Sequence, residues 1–146
     1  MNNSALFDES TFYSQFTQDL LRCCSEVVIE SPFITKERMS KLFPVFETLI
    51  RRGIRVYIFT RDPREHTESM EVQSEVEIQR FERLGVQVFL CRGNHHRKLA
   101  ILDRKILWEG SLNILSQVKS REIMKRIEEE ESAIEMFEFL DFARFI

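Results

Sequence analysis

RVYIFTRDPREHTESMEVQSEVEIQRFERLGVQVFLC, residues 55–91, decides the fold. Arg55 to Thr60 (RVYIFT) and Val86 to Cys91 (VQVFLC) are short β-branched and aromatic runs, each the length of a strand. Between them Arg61 to Met70 forms a polar loop containing Pro63 and His66, and a helix follows to about Leu84, closed by Gly85. A strand, a crossover helix and a second strand lay the two strands parallel in one sheet.

Working toward the N-terminus, the same unit repeats. Val27 to Glu30 (VVIE) reads as a buried strand, stopped by Ser31-Pro32. Thr35 can cap the helix between that strand and Arg55, with Met39, Leu42, Phe43, Phe46, Leu49 and Ile50 on its apolar face. Pro44 is expected to kink or restart this helix, and Arg51, Arg52 and Gly53 end it. Ser10 to Cys24 predicts a first helix, with Phe12, Phe16, Leu20 and Cys24 on one stripe and Ser10 or Thr11 as cap.

Toward the C-terminus the rhythm changes. Lys98 to Leu102 and Ile106 to Glu109 are apolar runs joined by Asp103-Arg104-Lys105, the spacing of a tight hairpin. Arg121 to Ile127 predicts another strand. Glu129 to about Arg144 predicts a last helix carrying Ile134, Phe137, Leu140 and Phe142, with the acidic run Glu128 to Glu131 at its dipole-favoured N-terminus. The expectation is therefore a single α/β domain over residues 1–146, with a mixed, largely parallel central sheet and helices on both faces.

With 43% apolar and 31% charged residues, the 146-residue chain has a soluble globular balance and enough length for one core. Its apolar runs fall far short of the roughly 20 residues a bilayer span needs, so no membrane partner is expected. MNNSALFDES lacks a basic segment followed by an apolar one, which argues against secretion. Cys23, Cys24 and Cys91 are odd in number and irregular in spacing, so reduced cysteines and a cytoplasmic location are expected. The net charge of −3 gives no global basic footprint. Arg51, Arg52, Arg55, Arg61 and Arg64, with Arg92, Arg97, Lys98, Arg104 and Lys105, leave room for a local basic surface.

The chemistry-bearing residues lie in CRGNHHRKLAILDRKILWEGSLN, residues 91–113. Alternate residues of an extended chain share a face, so His96 and Lys98 point one way and His95 and Arg97 the other. Ser111 and Asn113 are also two apart, after a Gly110 that would let backbone approach a ligand closely. Imidazole, ammonium, hydroxyl and amide converging on one volume suit an anionic tetrahedral group such as phosphate. A zinc site from Cys91, His95 and His96 is disfavoured, because adjacent histidines diverge and a fourth ligand is missing.

His96-x-Lys98-x4-Asp103 followed by Gly110-Ser111-x-Asn113 resembles the HKD motif of the phospholipase D superfamily, and is most similar to its small bacterial single-motif members, which include endonucleases. The resemblance implies that His96 is a nucleophile forming a covalent phosphohistidine. It implies that Lys98 and Asn113 hold the non-bridging phosphate oxygens and that Ser111 hydrogen-bonds within the phosphate site. It also implies a carboxylate downstream that fixes the imidazole tautomer, for which Glu122 is the best-placed candidate. Asp103 falls on the opposite parity at the expected turn and reads as structural. No cofactor and no metal are expected in this scheme.

A phosphodiester displacement has two ends, and one histidine cannot serve both. The family uses two motifs where this chain has one. The expected solution is a homodimer with the active site at its two-fold interface and His96 of the second subunit as general acid. The expected activity is a metal-independent phosphodiesterase acting on nucleic acid, DNA favoured over RNA, with a helicase or repair protein as a further partner. The alternatives are a nucleic-acid binding or targeting module with weak or no catalysis, and a phospholipid phosphodiesterase. The lipid reading is disfavoured because no basic amphipathic interfacial helix is evident.

Overall fold

β2 (Glu26–Glu30) is buried along its whole length, because apolar layers cover both of its faces. Val27 and Ile29 point into a core shared with α1 (Phe12–Leu21), α2 (Lys36–Arg51) and α3 (Glu68–Leu84). Val28 points the other way, into a smaller core with Ala133 and Phe137 of α4 (Glu130–Phe139) and Phe142. Each fully buried apolar side chain of this kind contributes about 1.5–3 kcal/mol. The computed structural model describes residues 3–146.

β2 belongs to a seven-stranded sheet of order β1-β7-β6-β5-β2-β3-β4. The other strands are β1 (Ser4–Asp8), β3 (Arg55–Arg61), β4 (Gln87–Cys91), β5 (Leu99–Leu102), β6 (Ile106–Gly110) and β7 (Ile123–Glu128). The mixed α/β architecture with helices on both faces is as expected. The parallel share is smaller: of the six pairings only β2·β3 and β3·β4 are parallel. After β4 the chain crosses to the far side of β2 and enters β5 antiparallel, and every later strand continues that way. β1, which pairs with β7 at the edge, was not foreseen. Its SALFD carries no buried stripe, and Leu6 is 73% exposed, so the pairing rather than a local pattern makes it a strand.

Two helical expectations change and one, the kink or restart at Pro44, narrows. α2 runs through Pro44 without a restart, held by Met39 and Leu42 before the proline and Phe46 and Leu49 after it, all buried. Thr11 is the N-cap position of α1, but its side chain does not cap; the Asp8 carboxylate instead accepts from the Ser10 and Thr11 N–H groups at 2.9 and 3.1 Å. The last helix stops at Phe139, because Asp141 adopts a left-handed φ of 56° and only one 3₁₀ turn, Phe142–Arg144, follows. Among the described residues no helix is long and apolar enough to cross a membrane.

Candidate functional site

The loops bearing the expected catalytic and phosphate-binding residues all leave one end of the sheet's strands. β5 runs antiparallel to β2, so its start lies beside the C-terminal end of β2, where Leu99 faces Glu30. His96 and Lys98 precede β5, Ser111 and Asn113 follow β6, and Glu122 precedes β7. The C-terminal ends of the parallel strands β2, β3 and β4 share this end, the usual place for ligands in open α/β sheets.

Side-chain parity survives even though residues 92–98 lie outside the ladders. Leu99 and Ile101 point toward α4, whereas Ala100 and Leu102 point toward the three-helix layer. Lys98 and His96 follow the second set. The Lys98 ammonium donates to the His96 carbonyl at 2.7 Å and lies 2.9 Å from its Nδ1. An ammonium can only donate, so Nδ1 is the acceptor and a neutral ring carries its proton on Nε2. Burial pushes the Lys98 ammonium below its ordinary range, opposed by the charge of Glu122. The Ser111 and Ser120 hydroxyls and the Lys98 charge together hold the Glu122 carboxyl below the ordinary carboxylate range, with Ser120 Oγ at 2.8 Å. Ser111 Oγ also accepts from the Ile123 N–H at 3.0 Å, and Glu9 accepts from the Glu122 N–H at 2.8 Å. His96, Lys98, Ser111 and Glu122 are thus one connected cluster, with His96 exposed.

Asn113 lies on the same loop, its amide Oδ1 buried without a partner. Five buried side-chain polar atoms lack partners among the described residues, and four of them lie in the loops at this end: His66 Nε2, His95 Nε2, Asn113 Oδ1 and Gln117 Oε1. Unpaired buried polar atoms are costly and concentrate where a structure is shaped for something other than stability. His66 packs its ring against Phe33 at 5.0 Å between centroids, and burial depresses its pKa.

Gly110 admits neighbouring protein backbone in place of the expected ligand. A Cβ there would collide with the Ile123 carbonyl and come within 2.9 Å of Met124 Cα, so the backbone it admits is that of β7, not a ligand. Asp103 lies in the hairpin turn with a φ of 55°, next to Arg104 at 54°, as a type I′ turn requires. Its carboxylate accepts from the Cys24, Ser25 and Glu26 N–H groups at 2.8, 2.9 and 3.0 Å, tying the hairpin to the start of β2. It lies at the far end of the sheet from His96.

The sequence did not single out the residues that hold the loop before His96. Glu65 accepts from the Gly93 and Asn94 N–H groups at 2.9 and 3.2 Å, and Asp62 binds Arg92 at 3.2 Å. The available signal was the charge-dense RDPRE after β3, whose side chains reach across to the β4–β5 connection. Among the described residues no group of three or more His, Cys, Asp or Glu side chains is arranged as a metal site.

Residues 16–141 match the family model described as cardiolipin synthase, phospholipase D-like domain. No curated protein sequence matches. The fold is similar to Nuc from Salmonella typhimurium, a phospholipase D family member, with a TM-score of 0.73 and 16% identity, covering 93% of this chain and 91% of that one. NucT from Helicobacter pylori gives a TM-score of 0.67 at 16% identity and the same coverage. Phosphatidylserine synthase from Haemophilus influenzae gives 0.71 at 17% identity over 91% of this chain, but only 37% of the synthase.

Proposed function

The chain belongs to the phospholipase D superfamily, and from that premise we propose that it is a metal-independent nuclease that hydrolyses nucleic-acid phosphodiester bonds through a covalent phosphohistidine at His96. The observation that carries this reading is the connected cluster at this end of the sheet, with Lys98 against the ring of His96 and Glu122 charge-coupled to Lys98.

In the resting arrangement Lys98 occupies Nδ1, and Nε2 holds the proton. A phosphate entering the site draws the ammonium to its non-bridging oxygens. Nδ1 then takes the proton, with Glu122 assigned as the carboxylate that holds it, and the free Nε2 lone pair faces phosphorus. The N–P bond forms as the bond to the leaving oxygen breaks, and that oxygen takes a proton from a second histidine. Water then attacks phosphorus, the N–P bond breaks, and the water's proton returns to the second histidine. Lys98 and the Asn113 amide oppose the charge that develops on the equatorial oxygens. The second histidine is His96 of another subunit: an exposed, one-histidine site at one end of the sheet is the half that a two-fold axis completes. Nuc and NucT, similar over nearly their whole lengths, support a nuclease over a transferase that this chain spans only in part.

The test is cleavage of single- and double-stranded DNA, RNA and a generic phosphodiester in excess EDTA, by wild type and His96→Ala, alongside light scattering. Wild type is expected to cleave as a dimer and to trap a phosphohistidine, with His96→Ala inert. Nucleic-acid binding without cleavage would select the targeting-module reading instead, and cleavage by a monomer would remove the shared site.

A further inference from the structure

The chain between β4 and β5 presents His96 from outside the sheet ladders, so something other than strand pairing must set its direction. Its upstream half is held by Asp62 and Glu65, which bind Arg92 and the Gly93 and Asn94 N–H groups. At the histidine itself a different carboxylate is in charge. Glu30, the last residue of β2, has a side chain 1% exposed. It takes both arms of the Arg97 guanidinium, Nε at 2.9 Å and Nη2 at 2.9 Å. The same Oε2 lies 3.8 Å from Nε2 of His95, a side chain 7% exposed whose Nε2 has no hydrogen-bond partner. His95 and Arg97 are the two chain neighbours of His96 and lie on the opposite face from it.

We propose that Glu30 is a positioning residue for His96, one buried carboxylate that grips the flanking Arg97 with both oxygens, next to the buried ring of His95, and so sets the rotation of the chain that aims the imidazole. The proposal rests on His96 being the nucleophile. In an extended segment the Cα–Cβ bond of a residue is directed opposite to those of its two neighbours, so tying residue 97 down from below, with residue 95 buried on the same side, directs residue 96 above. Glu30 is anchored on β2, a strand buried on both faces and paired on both edges. Burial pushes its carboxyl up and the Arg97 bonds oppose that, the mark of a charge kept in the interior by one partner. Misplacing a reacting atom by about 1 Å can cost ~100-fold in rate, so the aim of the ring is worth a dedicated anchor.

The molecule supplies its own control. Glu26, at the other end of β2, is also buried and also gripped by both arms of an arginine, Arg104 at 2.9 and 3.1 Å. Glu30→Gln and Glu26→Gln therefore make the same chemical change on the same strand, near His96 and far from it. Glu30→Gln is expected to lower kcat on DNA by about 30-fold with KM within about threefold, and to slow phosphohistidine formation equally. Glu26→Gln is expected to keep kcat per folded molecule. Arg97→Lys keeps the charge but loses the two-armed grip at a half-exposed position. It serves where Glu30→Gln fails to fold, and about a tenfold fall in kcat is expected. The two nitrogen shifts of the His96 ring are expected to move in Glu30→Gln and Arg97→Lys, and to stay in Glu26→Gln. The proposal is overturned if both site-end variants keep wild-type kcat, or if Glu26→Gln loses as much. His96→Ala run in parallel separates the two readings: if it still turns over, the assignment of the nucleophile fails, whereas an inert His96→Ala beside unaffected site-end variants removes only the positioning role.

Discussion

Glu26 and Glu30 bracket one strand, and the two ends of the sheet they mark are built from similar parts toward different results. Both carboxylates are buried, and each is held by both arms of an arginine from the β5 side. At the Glu26 end the polar groups are closed on one another: Asp103 accepts from three N–H groups and a hydroxyl, and Asp19 accepts from Trp108 at 3.0 Å and twice from Arg126 at 2.7 and 2.9 Å. At the Glu30 end polar groups are left over. His95, His66, Asn113 and Gln117 each bury an unpaired atom, and His96 faces solvent. Closed networks stabilise; a cluster with spare donors and acceptors has room for a ligand and costs stability to keep.

The charges of the site end are expected to serve turnover rather than stability. Lys98→Met removes the ammonium beside His96, and kcat/KM for DNA is expected to fall about 1,000-fold, near 4 kcal/mol of transition-state stabilisation. Its melting temperature is expected to stay within a few degrees of wild type, since the bonds it loses are to its own neighbour's carbonyl and ring. Paired steady-state kinetics and calorimetry check this. A large loss of stability with kcat/KM preserved would put Lys98 among the structural charges.

The mirror experiment is Asp103→Asn. The amide would turn an N–H toward the Cys24 or Ser25 N–H, and a loss of about 3 kcal/mol is expected in denaturant titration, with turnover per folded molecule unchanged. The acid dependence has a definite sign. Burial pushes the Asp103 carboxyl up, but the bonds from Glu26, Cys24 and Ser25 outweigh it and hold the folded value below the ordinary one. Its stabilisation is therefore present above the unfolded value of about 4 and is lost as pH falls through the lower folded value. The gap between wild type and Asp103→Asn is expected to close in that acid window, and a gap that widens there would contradict the role.

Much of this contrast could be read from sequence, and what could not has a physical cause. The β3-α3-β4 crossover and the β5-β6 hairpin are local units with local signals, and both formed where periodicity placed them. Parity alone separated His96 and Lys98 from His95 and Arg97. The direction of β5 relative to β2 was not local: it depends on which side of β2 the chain enters, which no spacing records. β1 lacked a buried stripe for the same reason that it is an edge strand. Asp62, Glu65 and Glu30 escaped notice because each acts on a segment about 30 residues or more away, across a strand boundary. Gly110 was recognised as a close-approach glycine, but sequence could not say what approached it.

The smallest expected effect asks how far the site end is a network rather than a set of separate groups. Ser111 is bonded to the Ile123 N–H and helps hold the Glu122 carboxyl low. Ser111→Ala removes the largest influence that lowers that carboxyl while Ser120 remains, so kcat is expected to fall about fivefold, near 1 kcal/mol. The informative reading is the acid limb of kcat/KM. With its largest downward influence gone, the Glu122 pKa rises, and if ionised Glu122 is what steadies the His96 ring, the limb moves to higher pH in Ser111→Ala. Ser120→Ala is expected to shift it the same way by less. A limb that stays put in both variants would leave Glu122 beside Lys98 but outside the proton path, and the downstream carboxylate would have to come from elsewhere at this end, with Glu9 the nearest alternative by its bond to the Glu122 N–H.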